Sequence, residues 1–251
     1  MPLHIRVVGG HWGGALTTDV LTVARSTSDA FGSLPADLEC SVVVEPTPSE
    51  MDDPITLSTP NASDEIIVRL NVRGNLWARL AYQFAHELCH VFADPTSWVP
   101  DHLAWIEEAL CETASLFALR SMENTWVAKP PHPHWSDYAR ALSDYAADRV
   151  SDPRHSLPPQ ASVSQWLAEK LPLLQADANR REDNTIIAKE LLPIFESDCT
   201  AWAVVPHLHR APRPPQGSLA EFARAWRQVC PPRHRRSVTR IAAALGVQPG
   251  R

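Results

Sequence analysis

One pentapeptide has the residue types and the spacing of a metal site: His86-Glu87-Leu88-Cys89-His90, an H-E-x-x-H motif. Residues four apart on an α-helix lie about 40° apart on one face, so both imidazoles can reach one Zn²⁺ ion at roughly 2.0–2.1 Å. Glu87 lies about 100° round from His86, where its carboxylate can reach a water molecule without binding the ion. The motif therefore predicts zinc ligands at His86 and His90 and a general base at Glu87.

The apolar residues around this motif follow the 3.6-residue period of an amphipathic helix over about 75–93. They are Trp77, Leu80, Phe84, Leu88 and Val91. On a helical wheel these residues share one side, and both histidines and Glu87 point away from it, towards a polar cleft. The alternative is a surface helix whose two histidines merely face solvent.

A catalytic zinc site needs a third protein ligand and one open position. A second helical segment, expected from the Pro100-Asp101 start signal to about residue 122, carries Glu108 and Glu112 one turn apart. We expect Glu108 to bind zinc and Glu112 to accept a hydrogen bond from the outer nitrogen of a ligand histidine. Glu107 crowds the same turn, and ordinary solvated carboxylates are the alternative interpretation.

Together the two segments resemble the gluzincin metallopeptidases, whose glutamate helix often reads W-L-x-E-G-x-A-E. Residues 105–112 read W-I-E-E-A-L-C-E, so Glu108 falls on the ligand position and Glu112 on the second acid. Ala109 stands where the pattern usually has glycine, a departure that concerns helix packing more than chemistry. Metzincins are excluded because Ala93 and Thr96 stand where their motif needs glycine and a third histidine.

The resemblance covers about residues 1–122 and implies an α+β zincin fold like that of the compact minigluzincins. It implies an N-terminal subdomain, residues 1–93, with a small mixed sheet, a backing helix and the H-E-x-x-H helix. Residues 94–251, including the glutamate helix, would form a mostly helical C-terminal subdomain. It also implies a zinc metallopeptidase whose peptide or protein substrate lies along an edge strand near residues 65–72.

The elements that would position these residues can be read from periodicity and from turn residues. Strands are predicted at 3–8, 40–45, 55–58 and 65–72, and the alternation within the last indicates an edge strand with one wet face. Helices are predicted at 17–31, 134–149, 162–176, 183–204, 218–229 and 237–245. Ser218 and Glu221 fit a capping box at the start of one of these helices.

Composition narrows the class of protein. The chain has 251 residues, 44% of them hydrophobic, which is enough for a real core. No apolar run approaches the roughly 20 residues of a membrane helix. The N-terminal residues lack the pattern of a secretory signal, so we expect a cytoplasmic protein. A net charge of −6 disfavours nucleic acid as a partner, although residues 233–240 form a positive run.

Five scattered cysteines suggest reduced, buried thiols and no disulfide framework. Cys89 and Cys111 fall on the ligand-bearing sides of their helices, either as small core residues or as thiols that act near the zinc. The residue that stabilises the oxyanion in peptide hydrolysis cannot be chosen by spacing. The candidates are Tyr138, Tyr145, His132, His134, His155, His207 and His209.

Two other functions stay open at this point. A zincin fold can serve as a binding or regulatory protein without turnover, and a zinc hydrolase can act on a non-peptide amide.

Overall fold

Four short strands form a mixed sheet in the computed structural model, which describes residues 3–32, 40–98, 101–213 and 217–247. The strands are β1 (His4–Val7), β2 (Ser41–Pro46), β3 (Ile55–Thr56) and β4 (Glu65–Leu70). Their order in the sheet is β1-β2-β4-β3, with β1, β2 and β4 parallel and β3 antiparallel to β4. With the helices described below, this sheet makes the fold α+β, as the sequence predicts.

The prediction that residues 65–72 form an edge strand is wrong. β4 lies inside the sheet, paired with β2 on one side and β3 on the other, and β3 is the strand at that edge. The alternation has a different cause: Ile66, Val68 and Leu70 are buried on one face, and Ile67 and Arg69 are half-buried on the other. Alternating polarity indicates that one face of the strand is partly exposed to solvent. It does not indicate whether the strand is hydrogen-bonded to a second strand in the sheet. A substrate strand cannot pair with β4 where β3 already does.

Three helices complete the part of the chain that holds the predicted motifs. They are α1 (Thr17–Asp29), α2 (Trp77–Ala93) and α3 (Ala104–Ala128). α1 packs against β1 and α2, while α2 packs against β3, β4 and, most extensively, α3. The predicted apolar stripe of α2 is buried, with Leu80, Phe84 and Leu88 at zero exposure. Burial of this stripe fixes the rotation of α2 and therefore the direction in which its histidines point.

The backbone leading into α2 is held by two glycines. A Cβ atom on Gly13 would lie 2.7 Å from the backbone nitrogen of Gly74, and both residues have positive φ angles, 64° and 69°. The Gly74 amide donates to the carbonyl oxygen of Trp12 at 2.7 Å. Glycine is required for this close approach, which anchors the start of α2 beside the loop that follows β1.

The remaining described residues are mainly helical. The helices are α4 (Tyr138–Ser151), α5 (Val163–Ala176), α6 (Arg181–Ser197), α7 (Leu219–Val229) and α8 (Arg235–Ala244). The single helix predicted over 183–204 is divided: α6 ends at Ser197 and a 3-10 helix runs over Cys199–His207. Asp198 causes the break, since its backbone is extended and its side chain caps the amide of Thr200.

Helix starts follow the predicted signals only in part. The capping box of Ser218 and Glu221 is confirmed, and Ser162 and Gln165 form a second one at α5. The helix predicted to end near residue 122 continues to Ala128, because Trp126 is buried and keeps the last turn packed. Pro100, part of the start signal proposed for α3, lies outside the described residues. Among the described helices, none has the length and apolar character needed to cross a membrane.

Candidate metal centre

The candidate site lies between α2 and α3, which run antiparallel. Near one end of the pair, the Ser115 hydroxyl donates to the carbonyl oxygen of Tyr82 at 2.9 Å. At the other end, His90 on α2 lies beside Glu107 in the first turn of α3. Later residues of α2 therefore face earlier residues of α3. This register sets the histidines of the H-E-x-x-H motif opposite the acidic turn of α3.

Glu108 faces both histidines through their Nε2 atoms. Its Oε2 atom lies 3.4 Å from Nε2 of His86, and its Oε1 atom lies 3.6 Å from Nε2 of His90. These distances exceed the roughly 2.7–3.2 Å of a good N–H···O hydrogen bond. Each histidine therefore faces a different oxygen of the Glu108 carboxylate. Two imidazole nitrogens and a carboxylate are groups that zinc binds in proteins, so the chemistry of this donor set fits a zinc ion.

The outer nitrogen of His90 is held by Glu107. Nδ1 of His90 donates to Oε1 of Glu107 at 2.7 Å, and the Glu107 side chain is only 2% exposed. A hydrogen bond at Nδ1 fixes the tautomer that leaves the Nε2 lone pair for a metal ion. The second oxygen of Glu107, Oε2, lies 3.0 Å from Nε2 of His209, although the two groups are not aligned as a hydrogen bond. Glu107 is therefore enclosed by two imidazoles.

Glu112 occupies the matching place behind His86 but does not bond to it. Its Oε2 atom lies 4.0 Å from Nδ1 of His86, too far for the hydrogen bond that the sequence predicts. Its Oε1 atom instead accepts from the hydroxyl groups of Tyr82 and Thr185, the latter at 2.8 Å, and from Arg149 at 3.1 Å. Four helices thus meet at one buried carboxylate.

Glu87 points towards the edge of the sheet. The Oγ1 atom of Thr56 on β3 lies 2.9 Å from Oε2 of Glu87 and 3.0 Å from its carbonyl oxygen. The carboxylate is close enough to both motif histidines to favour their charged forms. Thr56 therefore restrains the predicted general base and joins it to the edge strand.

Cys111 is a second side chain with a ligand atom near the histidines. Its Sγ atom and one ring nitrogen each of His86 and His90 lie within 4.8 Å of one another, so this group could hold a metal ion. The thiol is completely buried, and burial together with its hydrogen bond to Cys89 raises the pKa of Cys111 well above its ordinary value. Metals bind cysteine as the thiolate, so Cys111 would have to lose its proton to serve as a ligand, whereas Glu108 offers a carboxylate.

Electrostatics favour positive charge between the two helices. Burial is the largest influence and lowers the pKa of His90, but the hydrogen bond with Glu107 and the charges of Glu107, Glu108 and Glu87 together raise that pKa to about 10. The pKa of His86 also rises, since Glu108 and Glu87 more than offset its burial. Burial alone would raise the pKa values of Glu107 and Glu108, yet the facing histidines lower both.

The residues considered as oxyanion donors are scattered. Tyr138 packs against Trp77, with ring centroids 6.5 Å apart, and Trp77 precedes His86 by nine residues, or about 13 Å of helix. Nδ1 of His155 contacts the carbonyl oxygen of Arg149 at 2.7 Å. Tyr145 packs against Tyr82, one turn before His86, with the ring centroids 5.3 Å apart and the rings tilted by 57°. His209 lies behind the site against Glu107.

The sequence suggests that the cysteines are reduced and buried, and the structure agrees with burial for only three of them. All five carry free thiols, and Cys89, Cys111 and Cys230 are buried, whereas Cys199 is exposed and Cys40 is half-buried.

Several contacts of the site carried no signal in the sequence, although His209 was considered there as an oxyanion donor. These contacts come from elements that lie far from either motif in the sequence. They are made by Thr56 on β3, Arg149 on α4, Thr185 on α6 and His209 after the 3-10 helix. Only the contact at Nδ1 of His90 could be suspected from the sequence, since Glu107 is adjacent to the predicted ligand Glu108.

Comparison of the chain with known protein families, with curated proteins and with solved structures finds no significant match.

Proposed function

We propose that this chain is a zinc metallopeptidase of the gluzincin type with a zincin fold. One observation carries the proposal: Nε2 of His86 and Nε2 of His90 face the two oxygens of one carboxylate, Glu108, at 3.4 Å and 3.6 Å. Two imidazoles and one carboxylate would hold zinc and leave the fourth position open, which is the donor set of a catalytic site.

The protein residues around this set would keep the ligands in place. Glu107 holds Nδ1 of His90, and the side chain of Glu108 stays partly accessible, with 20% of its surface exposed. A structural zinc site is normally closed by four protein ligands, whereas partial exposure lets a substrate approach. Zinc, when bound, would supply a Lewis acid that polarises a carbonyl group and lowers the pKa of water.

Glu87 would act as general base and then as general acid. Its Oε2 atom accepts a hydrogen bond from Thr56, which leaves Oε1 to take the proton of the attacking water. The same carboxylic acid would return that proton to the leaving nitrogen. This double use requires a carboxylate whose position is fixed between the two steps, and the hydrogen bond from Thr56 at 2.9 Å provides the restraint.

The edge strand β3 is the place for an extended peptide. It is antiparallel to β4, its second edge has no partner among the described strands, and Thr56 joins it directly to Glu87. A peptide that adds to a sheet edge satisfies its main-chain hydrogen bonds there and lies beside the base. This placement replaces the predicted binding along residues 65–72.

Hydrolysis of a peptide library by the zinc-loaded protein tests the proposal, with products identified by mass spectrometry. We expect internal cleavage that a metal chelator abolishes and added zinc restores. A protein that binds zinc but cleaves only non-peptide amides, or cleaves nothing, would contradict the peptidase function while leaving the metal site intact.

A further inference from the structure

We infer that His209 is a positioning residue of the metal site and acts on His90 through Glu107. The inference rests on the proposed function, because it concerns the ligand set of that same site. The two contacts form a line: Nδ1 of His90 to Oε1 of Glu107 at 2.7 Å, and Oε2 of Glu107 to Nε2 of His209 at 3.0 Å. All three side chains are largely buried, with 18%, 2% and 4% of their surfaces exposed.

A buried carboxylate needs a donor at each oxygen. Glu107 lies in the first turn of α3, where the positive end of the helix favours its charge. Its Oε1 atom uses His90, and His209 is the group that faces its Oε2 atom. The 3.0 Å contact is not aligned as a hydrogen bond, so His209 acts on Oε2 as the polar ring that faces it and limits the rotation of the carboxylate. Without His209 the carboxylate would be free to turn, and Nδ1 of His90 would lose its fixed orientation.

His209 is itself held rigidly by the C-terminal half of the chain. It follows Leu208, which is completely buried and donates its backbone amide to the carbonyl oxygen of Val205 at 2.9 Å. The 3-10 helix over Cys199–His207 packs against α2, the helix that carries His90. Asp94, at the end of α2, is a second carboxylate that interacts electrostatically with His209. The orientation of a zinc ligand on α2 thus depends on a residue more than one hundred positions later in the chain.

Three variants separate positioning from simple packing. His209→Leu keeps bulk and removes the polar nitrogen that faces Glu107, His209→Gln keeps a polar N–H group at similar reach, and Leu208→Ala disturbs the packing of the same segment without touching Glu107. The zinc Kd is measured by competition with a chromophoric chelator, with thermal unfolding of each variant alongside. We expect His209→Leu to weaken zinc binding about 10-fold, at the low end for residues that orient a ligand. His209→Gln should recover most of this loss, and Leu208→Ala should lower Tm with zinc affinity unchanged.

A measurement on the wild type covers the case in which His209→Leu does not fold. In ¹⁵N NMR spectra of the imidazoles, zinc loading should shift the ring signals of His209, which binds no zinc, together with the Nδ1–H signal of His90. Unshifted His209 signals, or equal losses of affinity in His209→Leu, His209→Gln and Leu208→Ala, would overturn the inference alone. A wild type that binds no zinc would overturn the proposed function as well.

Discussion

Nδ1 of His90 lies 2.7 Å from Oε1 of Glu107, while Nε2 of the same ring lies 3.6 Å from Oε1 of Glu108. Two adjacent glutamates of α3 therefore contact opposite ends of one imidazole. The first distance is that of a charge-assisted hydrogen bond, and the second is too long for one. The His90 ring is thus held by Glu107 at Nδ1, while Nε2 stays available to a metal ion. Glu107 therefore orients the ring, and Glu108 is the acid that can share an ion with it.

The first prediction is that the protein binds one zinc ion per chain through His86 and His90. His86→Ala and His90→Ala should each reduce the zinc content sharply, because two of three protein ligands cannot hold the ion with useful affinity. Elemental analysis of the purified proteins measures the stoichiometry. His132→Ala is a matched control, since His132 stacks on His134 and lies outside both α2 and α3. Zinc content that is unchanged in both motif variants would show that the ion binds elsewhere.

The second prediction is that Glu108 is the third ligand. Glu108→Gln should cost the most zinc affinity, and Glu107→Gln should cost about 10–100-fold because Glu107 orients His90. Glu112→Gln should cost less than Glu107→Gln, since Glu112 makes no hydrogen bond to His86. Cys111→Ser should change zinc affinity little, since the proposed ligand set is His86, His90 and Glu108. Chelator competition measures all four variants under one condition. The largest loss at Cys111 would instead assign the third position to the thiolate.

The sequence predicts the three residues that face one another because they are local to two helices. His86 and His90 follow from a spacing of four, and Glu108 follows from its place in a pattern that starts at Trp105. Each signal depends on the rotation of one helix, which the apolar stripe determines. The α+β class was accessible for the same reason, because periods of two and 3.6 are properties of short segments.

The spacing of residues within one helix did not predict which histidine each supporting glutamate contacts. The sequence assigns the hydrogen bond with a ligand histidine to Glu112, whereas Glu107 makes it and Glu112 lies 4.0 Å from His86. Which acid meets which ring depends on how α2 and α3 cross. His209 and Arg149 reach the same acids through long-range packing, which no spacing encodes.

The position of the edge strand was missed for another reason. β3 has only two residues, Ile55 and Thr56, too few to show a period of two. The neighbouring strand β4 has six and an alternating pattern, so it carries the stronger signal. Strand order depends on which segments meet in space, and the shorter strand takes the edge.

The third prediction concerns pH. The pKa of His90 is raised to about 10 by the carboxylates around it, so its ring holds a proton at neutral pH that zinc must displace. Zinc affinity should therefore fall as the pH falls between about 8 and 6, by at least about 10-fold per unit for one displaced proton. Calorimetry in buffers of different ionisation enthalpy counts the protons released.

Glu107→Gln provides the control for this pH dependence. It removes the main group that raises the pKa of His90, so proton release at pH 8 should decrease as that pKa returns towards about 6.5. An affinity that does not change with pH in the wild type would contradict the protonated metal-free state.

The fourth prediction is that Thr56 restrains the general base. Thr56→Val keeps the shape of the side chain and removes the hydroxyl that donates to Oε2 of Glu87 at 2.9 Å. Zinc content should be unchanged, and kcat should fall about 10-fold, the value of one hydrogen bond to a charged group. Thr59→Val, a nearby exposed threonine, is the matched control. Equal peptidase activity in both variants would show that Thr56 serves packing alone.

The last prediction separates an enzyme from a binding protein that keeps the same cleft. Glu87→Gln preserves the shape of the side chain and a hydrogen-bonding group for Thr56, but the amide cannot take a proton from water or return it to the leaving nitrogen. Zinc content and thermal stability should therefore match the wild type, while kcat falls by several orders of magnitude with little change in KM, because the group acts in the transition state. Peptide hydrolysis and zinc analysis on the same preparations measure both effects. If the wild type and Glu87→Gln are equally inert across broad peptide pools and both bind a partner through the cleft, then zinc at this site organises a recognition surface and catalyses nothing.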